Sequence, residues 1–295
     1  NSVKVVLGFI MLAFSLKFLS VIDSVYSFRI LSRDIYLAIW IVIFSLLGLY
    51  LMGKIKFRHD SDLPHIGTFR LFLIIGVFSF VLYLFTGLFG APLKGLSALL
   101  PPPGTSAFSK PVPASENKAS DNLIPGFSFS PDDNCSEPRF ADLFEMPYGL
   151  TGYFDYNQGL ECARKKGKPV LLDFKGHACA NCKLMEAKVW SDPAVLRKLR
   201  DEFVIISLYV DDRTQLPENE WVTSKVDGKV KKTIGKINED IEIMKFKTNS
   251  IPLYVITDYD GNALIEPSPT NLNVSGYLKW LEDGITAFRN QQKSQ

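Results

Sequence analysis

Three long apolar stretches occupy most of the first ninety or so residues, at about residues 3–22, 35–53 and 71–93. The second and third contain no Asp, Glu, Lys or Arg, and the first is interrupted by Lys17, which lies close enough to one end to reach an interface. A bilayer core of about 30 Å requires about 20 helical residues. The pattern therefore predicts three membrane-spanning helices rather than buried helices of a large soluble core.

The basic residues between these stretches predict their orientation. The loop between the second and third stretches contains Lys54, Lys56, Arg58 and Arg70, whereas the preceding loop combines Arg29 and Arg33 with Asp23 and Asp34. Since the more basic loop is expected in the cytoplasm, the chain after the third stretch is expected on the extracytoplasmic side.

Residues 94–146 are rich in Pro, Ser, Gly and Asn and predict an extracytoplasmic linker that holds no long helix. Four phenylalanines in it are candidates for docking onto a flanking domain. They are Phe127, Phe129, Phe140 and Phe144.

Residues 147–295 alternate in a way that is typical of a soluble α/β domain. Apolar runs predict strands at 169–174, 203–210, 253–257 and 263–265, and Asp227-Gly228 predicts a hairpin. Helices are predicted at 156–166, 179–189, 234–246 and 274–288, with another that begins at Asp192-Pro193. The expected fold class is an α-helical membrane segment followed by an α/β domain whose mixed central sheet is flanked by helices.

The net charge, the start of the chain and the number of cysteines each narrow the possible functions or folds. The net charge of the 295 residues is +2, which gives no reason to expect a nucleic-acid partner. The chain starts at Asn1 without the pattern of a signal peptide, so we expect it to be the C-terminal part of a longer membrane protein. Its four cysteines are too few and too unevenly spaced for a small disulfide-stapled fold.

The motif Cys179-Ala180-Asn181-Cys182 follows a predicted buried strand and opens a predicted helix. Unpaired N–H groups at a helix start favour a thiolate on the first sulfur, and the second sulfur can close a disulfide. Haem attachment requires His where Lys183 stands, and a structural zinc site requires further ligands that the spacing does not provide. Dithiol redox chemistry is therefore favoured over a fortuitous CXXC, with the Cys179–Cys182 disulfide as the only redox group expected and no separate cofactor or metal.

The segment PVLLDFKGHACANCK resembles the active-site segment of thioredoxin-like domains, with Asp173 at the position of their buried carboxylate. Ile251-Pro252 resembles the cis-proline loop of that family. The resemblance implies that this loop packs against the CXXC motif and that the backbone of Ile251 pairs with an extended substrate segment, beside Ala178 at the lip of the site.

With the apolar helices included, the layout is similar to that of the DsbD-type transmembrane thiol:disulfide interchange proteins, and Glu186 matches a second acidic position of their C-terminal domain. The resemblance implies a bacterial inner-membrane location with the thioredoxin-like domain in the periplasm. It also implies a partner cysteine pair in a membrane domain upstream. Two departures are Ala178, where thioredoxins usually have an aromatic residue, and Lys175-Gly176-His177.

We expect Cys179 to be the attacking thiol and Cys182 the resolving thiol. Asp173 is expected to act as a base for Cys182, the alternative being a carboxylate held in a structural hydrogen bond. Glu186 shares a helix face with Cys182, where it either raises the pKa of the thiol or is simply a solvated charge. His177 is expected to be exposed and the role of Lys175 is left open.

The other two cysteines, Cys135 and Cys162, are less informative. The first expectation for Cys162 is a buried structural cysteine, and its pairing with Cys135 is left open.

The leading hypothesis is a protein-disulfide reductase that passes electrons from a membrane dithiol to extracytoplasmic thiol–disulfide carriers, including those that serve disulfide isomerisation and cytochrome c biogenesis. The alternative is a membrane-tethered Cu(I) chaperone that uses the two thiolates, with His177 or Met185 as a further ligand. An oxidase or isomerase also stays open, because sequence does not set the reduction potential.

Overall fold

The computed structural model describes residues 2–28, 30–58, 65–91, 93–96, 99–101 and 135–293. The chain divides into two compact units, one that contains the first three helices and one that contains the residues from 135 onward. Each unit is described by itself. The predicted docking of Phe127 and Phe129 lies outside the described residues.

The first unit contains three apolar helices, α1 (Ser2–Val25), α2 (Arg33–Leu51) and α3 (Thr68–Leu88). All three are long and apolar enough to cross a membrane. Helix α3 begins three residues earlier than the apolar stretch, and the guanidinium of Arg70 in its first turn donates to the carbonyls of Leu51 and Tyr50 at the end of α2. It ends before Gly90, which has a positive φ of 85° that a right-handed helix does not allow.

The second unit is built on a mixed three-stranded sheet, which confirms the predicted fold class. Strand β1 (Val170–Lys175) lies between β2 (Val204–Tyr209), to which it is parallel, and β5 (Leu253–Thr257), to which it is antiparallel. Single bridges extend the sheet at both edges, from Tyr153 to Ile206 and from Tyr254 to Ser268. The run at 263–265 is not a strand; Ala263 forms only an isolated bridge with Thr257.

Helices cover both faces of this sheet. They are α4 (Tyr156–Lys166), α5 (Ala180–Met185), α6 (Pro193–Glu202), α7 (Ile234–Phe246) and α8 (Val274–Lys293). Asp155 and Asp192 cap α4 and α6 by accepting backbone N–H groups, and Gly167 ends α4 in the left-handed conformation. A two-stranded hairpin of β3 (Val222–Thr223) and β4 (Val230–Lys231) confirms the turn predicted at Asp227-Gly228.

Alternation along β1 divides its side chains between two hydrophobic clusters. Val170, Leu172 and Phe174 pack on one face, whereas Leu171 packs on the other with Met185 of α5 and Trp190. Asp173 and Lys175 share the face of Leu171 because they follow it at intervals of two residues. Two charged side chains of the central strand therefore point toward the layer that contains α5.

The packed domain begins before the predicted boundary at residue 147. Phe144 and Met146 are buried in the cluster around Leu171, so at least this end of the predicted linker belongs to the domain. A short 3₁₀ turn (Pro147–Gly149) then leads into the sheet. Cys135 is joined to Cys162 of α4 by a disulfide, so Cys162 is buried but not unpaired.

Helix α7 carries a buried acidic side chain, Glu242. Both carboxyl oxygens of Glu242 are buried without a hydrogen-bond partner among the described residues. One turn earlier on this helix, Asn238 donates to the carbonyl of Tyr209, and one turn later Phe246 packs on Phe174. Burial, with a smaller contribution from Glu239, raises the pKa of Glu242 from 4.5 to about 7.

The variant E242Q is expected to change how stability depends on pH. Between pH 4.5 and about 7 the folded state keeps a proton that the unfolded state has released, so the wild type loses stability as pH rises through this range. The amide removes that loss, so E242Q should be more stable than wild type at pH 8 and little different near pH 4.5. Thermal unfolding of the full chain in detergent, followed by near-ultraviolet circular dichroism, measures the difference.

The exposed Glu266 provides the control, because E266Q removes a carboxylate that is already in water. A difference between wild type and E242Q that stays constant from pH 4.5 to 8 contradicts the interpretation.

Candidate active site

Cys179 and Cys182 form a disulfide at the start of α5, with their Cα atoms 5.3 Å apart. Cys179 is the N-cap residue of the helix, and its sulfur accepts the backbone N–H of Cys182 at 3.1 Å. The relative exposure is 9% for Cys179 and 1% for Cys182. Cys179 is therefore the more accessible residue of the pair.

The helix that carries the motif is shorter than predicted. Regular α-helix ends at Met185, and a π-helical turn (Glu186–Trp190) continues it, closed by the Ser191 N–H donating to the Glu186 carbonyl. Such turns are frequently found at functional sites. This turn begins at Glu186, one of the predicted acidic residues.

A buried ion pair lies on β1 below this layer. Lys175 Nζ is 3.2 Å from Asp173 Oδ2, and the side chains are 5% and 1% exposed. The hydroxyl of Ser207, the register partner of Asp173 on β2, donates to the same oxygen at 2.8 Å. Both donors use Oδ2, and Asp173 Oδ1 is buried without a hydrogen-bond partner among the described residues.

Glu186 is the second carboxylate on Lys175. Its Oε1 accepts a hydrogen bond from Lys175 Nζ. From the sequence, Glu186 was expected either to raise the pKa of Cys182 or to be a solvated charge, and neither expectation included Lys175 as its partner. The Lys175 ammonium also lies 5.8 Å from the ring of Trp190 and 5.5 Å from that of Tyr209, within the range of cation–π attraction.

The three charges affect one another's protonation. Burial alone would lower the pKa of Lys175, but the carboxylates of Asp173 and Glu186 hold it well above its usual value. Burial raises the pKa of Asp173, and the Lys175 ammonium offsets part of that rise. Lys175 therefore stays a cation, and Asp173 is the member of the cluster that can take up a proton.

The loop between β1 and the motif is held by two aspartates that follow β2. Asp211 accepts the backbone N–H groups of His177 and Ala178, at 2.9 and 3.0 Å. Asp212 lies 3.0 Å from Nε2 of His177, whose ring stacks on Tyr209 at 4.6 Å. The side chain of His177 is only 10% exposed, so the expectation of an exposed histidine was wrong.

The Ile251–Pro252 peptide bond is cis, as the resemblance predicted. Pro252 is buried and Ile251 is half-buried. A Cβ placed on Gly176 would lie 2.7 Å from Asp211 Oδ2 and 2.9 Å from Ile251 Cδ1, so the glycine lets both side chains approach the loop before the motif. Ala178, directly before Cys179, is exposed.

The predicted site residues therefore lie on neighbouring elements of one domain. Four further residues were missed or left undecided: Lys175, Ser207, Asp211 and Asp212. Of these, only Lys175 had a detectable signal, because a lysine two positions after an aspartate on a buried strand must share its face. The other three come from β2 and the loop after it, which only the fold brings to the site.

No group of three or more His, Cys, Asp or Glu that could hold a metal occurs within the part of the chain that the structure describes. Of the two ligands considered for Cu(I), His177 is held by Asp212 and Met185 is fully buried in the core.

Replacing Asp211 tests what holds the loop. D211A removes the acceptor of two backbone N–H groups beside Cys179 and is expected to lower the free energy of unfolding by about 1–2 kcal/mol. D211N keeps one acceptor oxygen and should lose less. Urea unfolding of the oxidised chain measures both; equal stability of D211A and wild type contradicts this role.

One family model and two solved structures are similar to parts of this chain. Residues 156–282 match the family model of a thioredoxin-like domain. A solved structure described as DsbH oxidoreductase is 14% identical with a TM-score of 0.36, and the match covers 57% of this chain and 95% of that chain. The solution structure of a thioredoxin from Thermus thermophilus is 22% identical with a TM-score of 0.32, covering 44% and 84%. No curated protein sequence matches. The chain thus carries, after its apolar helices, a thioredoxin-like domain.

Proposed function

We propose that this protein is a membrane-anchored protein-disulfide reductase whose reacting group is the Cys179–Cys182 pair. The observation that supports it best is the asymmetry of the pair: Cys179 is 9% exposed and Cys182 only 1% exposed, and the strand before them carries a buried carboxyl, Asp173, with an acceptor oxygen that has no partner among the described residues. A fold of the thioredoxin type is consistent with thiol–disulfide exchange. The direction of exchange is part of the proposal.

The reaction has two steps. The thiolate of Cys179 attacks one sulfur of a partner disulfide, forming a mixed disulfide and releasing the other partner sulfur as a thiolate. Cys182 then gives its proton to Asp173 and attacks Cys179, which closes the Cys179–Cys182 disulfide and releases the second partner thiol. The protein loses two electrons and the partner gains them.

Asp173 suits the second step for a reason that the oxidised structure makes visible. The oxidised pair has no S–H group, and Asp173 Oδ1 is buried without a hydrogen-bond partner among the described residues. Reduction creates a thiol donor on Cys182. A buried acceptor that is costly to leave unpaired would gain a partner at that point.

The partner segment is proposed to bind at the exposed lip. Ala178 is exposed, and the half-buried Ile251 approaches Gly176 in the loop before the motif, so an extended partner segment is proposed to pair with the backbone of Ile251. Backbone pairing of this kind recognises many sequences, because side chains contribute little to it. This suits several carrier proteins better than one small substrate.

The source of electrons is proposed from the resemblance to DsbD-type proteins together with the three helices that can cross a membrane. A cysteine pair in an upstream membrane domain would re-reduce Cys179–Cys182. The domain would then act in the bacterial periplasm, at the inner membrane, on carriers that serve disulfide isomerisation and cytochrome c biogenesis.

The variant C182S is expected to trap the first step. Without the resolving thiol, Cys179 should remain joined to its partner, and non-reducing gels of acid-quenched cells should show adducts of higher mass that collapse on reduction. C179S is the matched control and should form none, because the remaining thiol is almost fully buried. Equal adducts in both variants, or none in C182S, contradict the proposal.

A further inference from the structure

Lys175 is the buried cation of the site, and the two-step reaction gives it no role. Its ammonium contacts both carboxylates of the cluster, Asp173 and Glu186, and lies within cation–π range of the rings of Trp190 and Tyr209. We infer that Lys175 is a positioning residue that sets the pH range in which Asp173 accepts the proton of Cys182, and that Glu186 opposes it by sharing the same ammonium. This inference rests on the proposed function, since it concerns the second step of that reaction.

The geometry of the hydrogen bonds is the first argument. Lys175 and Ser207 both bind Asp173 Oδ2, at 3.2 and 2.8 Å. Asp173 Oδ1 is buried and has no partner within the described residues. The ammonium thus fixes the carboxyl by one oxygen and leaves the other for an incoming proton.

The charge of the cluster is the second argument. With both carboxylates ionised and the ammonium protonated, the three side chains carry a net charge of −1 in a site where Asp173 and Lys175 are almost completely buried. Uptake of one proton by Asp173 makes the cluster neutral, which burial favours. Without Lys175 the two carboxylates would face each other with no cation, and Asp173 would keep its proton to a higher pH.

Glu186 is expected to affect the pH range of Asp173 in the direction opposite to Lys175. Its side chain is 21% exposed, against 1% for Asp173, so it is partly in contact with solvent. It both repels charge on Asp173 and takes part of the ammonium's hydrogen bonding. Without the Glu186 carboxylate, the Lys175 ammonium would pair with Asp173 alone. Asp173 should then be an effective base at lower pH.

The attack by Cys179 and the later attack by Cys182 can be observed separately. The full chain in detergent is reduced, freed of reductant and mixed in a stopped-flow instrument with 5,5′-dithiobis-(2-nitrobenzoate). Attack by Cys179 releases one coloured thiolate and leaves a mixed disulfide. In the second step Cys182 loses its proton to Asp173, attacks Cys179 and releases the other coloured thiolate. The pH midpoint of the second phase reports the base, and the first phase reports Cys179.

The expected result is a set of opposite shifts in the second phase with the first phase unchanged. K175M should raise its pH midpoint by about one unit, which is about tenfold in rate on the rising limb of the profile. E186Q should lower it by roughly half a unit, and K175R should restore it to near the wild-type value. K188M, at an exposed lysine of the π-helical turn, is the matched control and should change nothing.

Repeating the measurements in a chain that also carries D173N tests whether Lys175 acts through Asp173. In D173N the base is absent, so neither K175M nor E186Q should shift the second phase further. Shifts that persist in D173N overturn the inference, as do single variants that leave the wild-type midpoint unmoved. If K175M does not fold, E186Q and K175R, which keep a cation at position 175, replace it. The inference is then tested by the pH midpoints of these two variants and by E186Q in the D173N chain.

Failure of the proposed function gives a different result. A wild-type chain that releases only one coloured thiolate per Cys179–Cys182 pair, or none, lacks the two-step reaction itself. C179S measures any release from the Cys135–Cys162 pair, which is subtracted from all traces. Two equivalents with a pH profile insensitive to position 175 would retain the reductase and reject the role of Lys175.

Discussion

Strand β1 lies at the centre of the sheet with both faces covered, so any charge on it must be neutralised by a neighbour inside the domain. Asp173 and Lys175 satisfy this requirement for each other, because alternation places them on the same face two residues apart. The pair then determines what surrounds it: Ser207 on β2 supplies a hydroxyl, and the π-helical turn after α5 supplies Glu186. The helix that carries Cys182 is thereby connected to the strand below it by charge as well as by apolar packing.

The surface part of the site depends on a different set of contacts. Asp211 holds the two residues before Cys179 by their backbone, and Gly176 allows Ile251 of the cis-proline loop to approach. Phe144 stacks on Tyr209, which in turn stacks on His177, so the segment before the sheet contributes to the support of this loop. Cys179 caps the helix directly after this loop, whereas the more deeply buried Cys182 lies within the helix, which separates the two roles proposed for them.

Local patterns predicted the parts of the site that depend on neighbours in sequence. The CXXC motif, the carboxylate at Asp173 and the proline at Pro252 are motif positions, and the helices at 156–166 and 234–246 follow from caps and apolar spacing. The partners of Lys175 and His177 were not predictable in this way, since Glu186, Asp212 and Tyr209 are brought to them by the sheet and a helix irregularity. The disulfide between Cys135 and Cys162 spans 27 residues and was left open for the same reason. Phe144 was expected to dock onto a flanking domain, and it is buried in the core of the domain that follows it.

The central claim is that Cys179–Cys182 is a reversible and reducing dithiol couple in a membrane-anchored domain. A redox titration of the full chain against glutathione tests it most directly, with the state of each cysteine pair read by alkylation and mass spectrometry. The account predicts a two-electron couple at Cys179–Cys182 with a potential near that of thioredoxin, about −270 mV. A potential near that of DsbA, about −120 mV, or a pair that does not equilibrate with glutathione, would contradict it.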